Sequence, residues 1–289
     1  MVKESKKIIP ISFDPVFTGI FNDEKNIDIV ENFLSVYLNI PLGKIKGHIS
    51  IKSRKIESKP KKERKKEVDL VLDIEGKKLN IEMNSNFQTP IVDRNIVFIC
   101  KIHGGQLKVG DNRYTNIKDS LQINLNTEKT NEDSLVESYC LRNEKGKILS
   151  KKLRIDVVDI ARAKKFKYNK NEEKLARWLR ALVSISLEEL EKELVDDLME
   201  KESKEKLLEE VEKYSEDEEI YDMYKYHSKQ ELIQNSLIDE ARIEAREEGI
   251  QQEKLEIAKN LLNENIDINI ISKTTGLDIK EIEKLQKIN

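Results

Sequence analysis

Val68-Asp69-Leu70-Val71-Leu72-Asp73-Ile74 and Lys77-Lys78-Leu79-Asn80-Ile81-Glu82-Met83-Asn84 flank the dipeptide Glu75-Gly76. The first run and the start of the second alternate with the period of two that marks strands, and a two-residue turn ending in glycine closes such runs into a hairpin. A turn at Glu75-Gly76 sets Ile74 opposite Lys77 and Asp73 opposite Lys78; carried outward, the same register sets Asp69 opposite Glu82. Val68, Leu70 and Leu72 then share one face with Met83, Ile81 and Leu79, while Asp69 and Glu82 point to the other. Directly opposed Cβ atoms lie about 4.5–5.5 Å apart, and like charges at that distance destabilise a sheet. A cation between the two carboxylates reverses that sign. Hard divalent ions such as Mg²⁺ take one or two carboxylates together with water and phosphate oxygens, which is what this pair offers. Asn84 projects to the same side and is placed to position an attacking water. Read alone, the hairpin leaves a second possibility open: the carboxylates decorate a solvent-facing sheet, with Asp73 and Lys78 as a cross-strand ion pair.

Immediately upstream lies Lys59-Pro60-Lys61-Lys62-Glu63-Arg64-Lys65-Lys66, a basic run of the kind that binds phosphate backbones, or else a solvated connection. Further upstream, Asp14-Pro15 reads as an N-cap followed by proline at the first helical position, with Val16, Phe17, Ile20 and Phe21 on one face. A second helix is expected from about Ile27 to Leu38, stopped by Pro41, and a short strand ends at Ile49 and Ile51. Downstream, Thr89-Pro90 opens a helix whose inner side should hold Ile91, Val97, Phe98 and Ile102. Arg94 sits one turn into it, facing either a bound phosphate or a surface acid. His103-Gly104-Gly105 reads as the helix's C-terminal turn. Strands follow at Ser120 to Leu125, Glu137 to Arg142 and Lys147 to Val158.

Beyond about residue 170 the pattern is helical throughout. Leu175, Trp178, Leu179 and Leu182 recur at helical spacing, Leu187 to Tyr214 is acidic and amphipathic, and Tyr221, Met223, Tyr224 and Tyr226 are expected to pack between helices. A long charged helix from about Lys229 to Leu262 should break at Gly249. It ends in two short helices, Asp267 to Thr274 and a second capped by Asp278, around Gly276. The chain thus divides into an α/β domain over 11–160, a helical extension over 161–228, and the charged helix with its terminal helical pair over 229–289.

The 289 residues are 38% hydrophobic and 37% charged, so extensive solvated helical surface is expected; with 52 Lys+Arg against 55 Asp+Glu, global charge identifies no partner. Cys100 and Cys140 form no Cys-x-x-Cys pair, which argues against a disulfide scaffold or zinc ribbon and fits a reducing cytoplasm. No stretch approaches 18 uninterrupted apolar residues and the N-terminus has no apolar signal core, so neither secretion nor membrane spanning is expected.

Helix, hairpin with Asp then Glu, and a following helix resemble the core of the PD-(D/E)XK nucleases. More narrowly, Phe13-Asp14-Pro15-Val16-Phe17-Thr18-Gly19-Ile20-Phe21, Val68-Asp69-Leu70, Asn80-Ile81-Glu82-Met83-Asn84, Arg94 and Gln106 to Tyr114 resemble the Rpn recombination-promoting nucleases, also called PD-(D/E)XK nuclease family transposases. The tail is similar too, at Ala241 to Gly249 and Ile270 to Leu277. The resemblance implies an α/β restriction-endonuclease-like core with an all-helical C-terminal extension. It also implies a DNA endonuclease tied to recombination or mobile DNA, in which Asp69, Glu82 and the Met83 carbonyl hold Mg²⁺ or Mn²⁺ and Asn84 assists catalysis. Lys61, Lys62, Arg64, Lys65, Lys66 and Arg94 are the candidate DNA contacts; Asp14, Gln106 and Tyr114 are accessory candidates, the last two chiefly for ordering the loop after the helix. The chain departs from the family where Asn84 stands in place of Gln or Lys, and Thr18 in place of Lys. A degenerate DNA-binding or assembly protein is therefore the alternative. Self-association is expected of the C-terminal helices, because Leu232, Leu237, Ala241, Leu255, Ala258 and Leu261 need partners, whereas the last helix has as many acids as lysines and no arginine for base reading.

Overall fold

Asp14–Phe21 forms helix α1, and its buried face is Val16, Phe17, Ile20 and Phe21, as the spacing predicts. The start differs by one residue. Phe13 occupies the cap position and Asp14 is already helical, so Pro15 sits inside the first turn, where a missing N–H costs nothing because it would have no partner. The computed structural model describes residues 6–52, 55–56, 66–67, 69–84, 89–107, 110, 113–128, 130, 134–165 and 170–288.

Helix α2 spans Ile27–Tyr37. Strand β1 (Ile49–Lys52) follows, then the short pair β2 (Lys55–Ile56) and β3 (Lys66–Glu67), and then the hairpin β4 (Leu70–Ile74) and β5 (Lys77–Asn84). Helix α3 (Thr89–Gly104) crosses to β6 (Ser120–Asn126), and β7 (Val136–Arg142) and β8 (Ile148–Asp159) complete the strands. The six-stranded sheet has the order β1-β4-β5-β6-β8-β7. Its centre, β5, β6 and β8, is parallel, and its outer pairs are antiparallel. The hairpin register runs from Ile74 opposite Lys77 to Leu70 opposite Ile81, as expected, and Asp73 and Lys78 do form an ion pair.

Both faces of this sheet are covered. Leu70, Leu72, Leu79 and Ile81 are buried on one side. Helix α2 lies on that side, since the Tyr37 hydroxyl donates to Asp156 Oδ2 at 2.9 Å from the corresponding face of β8. Phe33 there meets Trp178 of α5 (Lys170–Leu182) edge to face, with ring centroids 5.5 Å apart. The side carrying Glu82 lies under α3, where Val71 packs with Phe98 and Ile102. The inner stripe of α3 is Asn95, Phe98 and Ile99, a helical i, i+3, i+4 set, and Val97 falls outside it, 40% exposed. The expectation for Val97 is therefore corrected.

Short helices α4 (Ile160–Ala163) and α6 (Leu187–Glu193) and the longer α7 (Lys201–Glu216) complete this part. Residues up to Asp222 form one compact unit and Met223–Asn289 a second. Helix α8 runs unbroken over Glu218–Asn263. Gly249 does not stop it: an interior glycine costs a helix only about 1 kcal/mol, and strong helix formers surround it. Tyr221, Met223 and Tyr226 are exposed, where burial between helices was expected. Helices α9 (Ile268–Thr275) and α10 (Ile279–Ile288) are joined through Gly276, whose φ of +71° is the left-handed conformation glycine takes freely. Asp267 and Asp278 accept from backbone amides two residues on, and Ala258, Ile271, Leu277 and Ile282 make the small core of this unit. Among the described residues, no helix is long and apolar enough to cross a membrane.

Candidate active site

The hairpin delivers its two acids to one place. Asp69 immediately precedes β4, and its own amide donates to Glu82 Oε1 at 3.3 Å. In return the Met83 amide donates to Asp69 Oδ2 at 2.7 Å. These two backbone-to-side-chain bonds lie just past the last paired residues, Leu70 and Ile81, and they hold the carboxylates against each other. Glu82 is 2% exposed, which removes the solvent-facing reading of the pair. Burial first, and the Asp69 charge second, push its carboxyl up to about 7 from an ordinary 4.5; a hydrogen bond from Asn80 and the Arg94 charge work against them.

Helix α3 adds the cation. Arg94 Nη2 lies 3.6 Å from Glu82 Oε2 and donates to Asn84 Oδ1 at 3.0 Å. Its guanidinium carbon also lies over the Phe98 ring, 5.7 Å from the centroid, within cation–π range. Asn84 is buried, and its Nδ2 has no hydrogen-bond partner among the described residues. Asp69, Glu82, Met83, Asn84 and Arg94 are thus gathered at the C-terminal end of β5 and the overlying helix.

Other candidates stand elsewhere. Asp14 is exposed on α1, and its carbonyl accepts from the Thr18 hydroxyl at 2.8 Å, so Thr18 turns back on its own helix. Gln106 bonds the Lys118 amide and carbonyl and the Ser120 hydroxyl, ordering the segment after α3. Tyr114 is 78% exposed in a short turn. Lys61, Lys62, Arg64 and Lys65 lie outside the described residues, and of Lys66 only the backbone, in β3, is described.

Of the amides around Glu82, the sequence singled out Asn84 alone. Asn80 and Asn84 on β5 pair across the parallel ladder with Gln122 and Asn126 on β6, and Glu82 with Asn124. All six are buried, as is Asn95 of α3. The signal was present as Asn80-x-Glu82-x-Asn84 and Gln122-x-Asn124-x-Asn126, polar residues at a period of two on strands whose intervening residues are apolar. Among the described residues no group of three or more His, Cys, Asp or Glu is placed to hold a metal, so the acidic set here is a pair.

Comparison with known families matches residues 11–241 to the PD-(D/E)XK nuclease family transposases and residues 251–287 to the Rpn/YhgA-like nuclease family, C-terminal HTH domain. No curated protein and no solved structure matches the chain. The first match takes in the whole sheet, both carboxylates and the helices that cover them, and the second takes in α9 and α10 with the end of α8. With most of its length so matched, the chain belongs to the PD-(D/E)XK nuclease family transposases, with an α/β nuclease core followed by an all-helical region ending in an Rpn-type helix-turn-helix domain.

Proposed function

We propose that the chain is a divalent-metal-dependent DNA endonuclease acting at Asp69 and Glu82. The observation that carries the reading is the burial of Glu82 directly beside a second carboxylate, both held by backbone and amide donors. Such an arrangement is unfavourable by itself and becomes favourable around a cation, and oxygen donors suit Mg²⁺ or Mn²⁺, which need only one or two carboxylates when phosphate and water complete the shell. Asp69, Glu82 and the Met83 carbonyl are the residues that would hold the ion. When bound, it supplies Lewis-acid assistance to phosphodiester hydrolysis.

Asn84 takes a different part from the one its spacing suggested. Its carbonyl oxygen already accepts from Arg94, so what it offers is an N–H donor with no partner among the described residues, suited to a non-bridging phosphate oxygen rather than to drawing a proton from water. Arg94, half-exposed, adds charge at the same point. Together they would orient the phosphate and offset the charge that grows on it. Conversion of supercoiled plasmid to nicked circles, with Mg²⁺ and with chelator, tests the reading.

The basic run before the hairpin fits non-specific phosphate contacts. Neutralising Lys61, Lys62, Arg64, Lys65 and Lys66 together should flatten the slope of log affinity against log salt by about four units, close to 0.9 per contact for duplex DNA. An unchanged slope, measured by fluorescence anisotropy, would make the segment a plain connection.

For the tail we propose self-association. Leu255 and Leu261, with Ala258, are satisfied within the terminal helical core, but Leu232 and Leu237 remain 69% and 60% exposed. Ile243, Ile250 and Ile257, one heptad apart along α8, are also exposed. A stripe of this kind favours a partner helix. Removal of the chain from Gln230 onward should give a smaller oligomer by light scattering; monomers from both the full-length and the truncated form would contradict it.

A further inference from the structure

Each oxygen of Glu82 faces one end of a hydrogen-bonded chain, and the chain closes into a ring. Asn80 Nδ2 donates to Glu82 Oε1 at 3.0 Å and to Gln122 Oε1 at 2.7 Å. Gln122 Nε2 donates to Asn124 Oδ1 at 2.9 Å, and the same oxygen accepts from Asn95 Nδ2 at 2.7 Å. Asn95 Oδ1 accepts from Arg94 Nε at 3.3 Å, and Arg94 Nη2 returns to within 3.6 Å of Glu82 Oε2.

The chemistry at the two ends fixes the direction of every amide between. A guanidinium only donates, so Asn95 must turn its oxygen to Arg94 and its NH₂ to Asn124. Asn124 must then accept, Gln122 must donate to it, and the Gln122 oxygen is left for Asn80. A carboxylate only accepts, so Asn80 turns its NH₂ to Glu82 as well; Asn124 Oδ1 thus accepts twice and Asn80 Nδ2 donates twice. One flipped amide would set donor against donor somewhere in the ring. The four amides are at most 2% exposed, and Asn80 Oδ1 has no hydrogen-bond partner among the described residues. Aliphatic residues would fill this layer between sheet and helix without leaving a buried acceptor unpaired, at a cost of about 1–3 kcal/mol for such a group. Packing alone does not account for it.

We propose that Asn80, Gln122, Asn124 and Asn95 act as one positioning unit, which sets the Glu82 carboxylate on β5 against Arg94 on α3 so that the carboxylate is oriented for a divalent ion. This deepens the metal-site reading and rests on it. Asn95 makes no hydrogen bond to either carboxylate, yet on this account its loss is felt at Glu82.

Mn²⁺ affinity of the full-length protein, measured by calorimetry without DNA, tests the unit. Asn80→Ala and Asn95→Ala should each weaken Mn²⁺ binding about tenfold, the lower end of what partners of metal ligands contribute. Because either change opens the same ring, the double variant should also lose about tenfold and not a hundredfold. Thermal melts establish that each variant is folded; should Asn80→Ala not fold, Gln122→Met breaks the same arm with little change of volume and carries the same expectation. Residues with a merely structural role would lower melting temperature while their effects on affinity multiplied. Multiplying effects, or Mn²⁺ affinity unchanged in Asn95→Ala, overturns the proposal. Wild-type protein that takes up no Mn²⁺ at millimolar concentration overturns the metal reading first, and the positioning unit with it.

Discussion

Glu82→Gln should melt higher than wild type at pH 8 in chelator, and the two should melt alike at pH 4 and below. The folded state raises this carboxyl to about 7 from 4.5, by burial and then by the neighbouring Asp69 charge. Between those values the folded protein retains a proton that the unfolded chain gives up. The resulting stabilisation is fully present below the unfolded value and is lost as pH rises through 7. At pH 8 the charged form therefore costs the fold on the order of 3 kcal/mol, which the neutral amide avoids while keeping an oxygen for the Asn80 and Asp69 donors. For a unit of this size that is roughly 5–10 °C of melting temperature by calorimetry. Mg²⁺ should raise the melting point of wild type and leave the variant unmoved, because the ion requires the ionised carboxylate. A variant that melts below wild type at pH 8 would mean that the charge is already compensated, and that the site needs no ion.

The part of this site that was legible in sequence is the part that local geometry dictates. A two-residue turn leaves the hairpin one register, and that register alone brings Asp69 to Glu82. The cap at Asp278 and the glycine at 276 were legible for the same reason. What could not be read is what depends on a second layer. Gln122, Asn124 and Asn126 look like the wet face of a strand until α3 is laid over them. Val97 and Ile99 are equally apolar, and only the line along which α3 meets the sheet exposes one and buries the other. Arg94 was recognisable as a candidate, but its bond to Asn84, which takes up that amide's oxygen, is a tertiary contact between helix and strand. The break expected at Gly249 failed for an energetic reason: one glycine is a small cost against a 46-residue helix.

Asp69→Ala carries the largest expected effect on activity. The side chain is fixed by the Met83 amide and is the direct partner of Glu82, so its loss removes half of the carboxylate pair without opening the core, since the residue precedes β4 and is only partly buried. If the pair supplies the several kcal/mol that a Lewis acid contributes to phosphoryl-centre chemistry, Mg²⁺-dependent cleavage should fall by about a thousandfold or more. DNA affinity should hold or rise, because a negative charge near the phosphate has gone. Fluorescence anisotropy and nicking rates on the same preparation separate the two effects. Weakened binding in step with weakened cleavage would instead make Asp69 a contributor to the fold of the binding surface.

The central claim is that this buried carboxylate pair hydrolyses DNA with a divalent ion, and plasmid nicking tests it most directly. Wild type, Asp69→Ala and Glu82→Gln, purified in parallel, are each incubated with supercoiled plasmid over a Mg²⁺ titration and with chelator. The account predicts nicked circles from wild type alone, rising with Mg²⁺ and absent in chelator. Nicking by all three proteins alike, or none by wild type at any Mg²⁺ or Mn²⁺ concentration while DNA is still bound, would contradict it and leave the chain a DNA-binding or assembly member of its family.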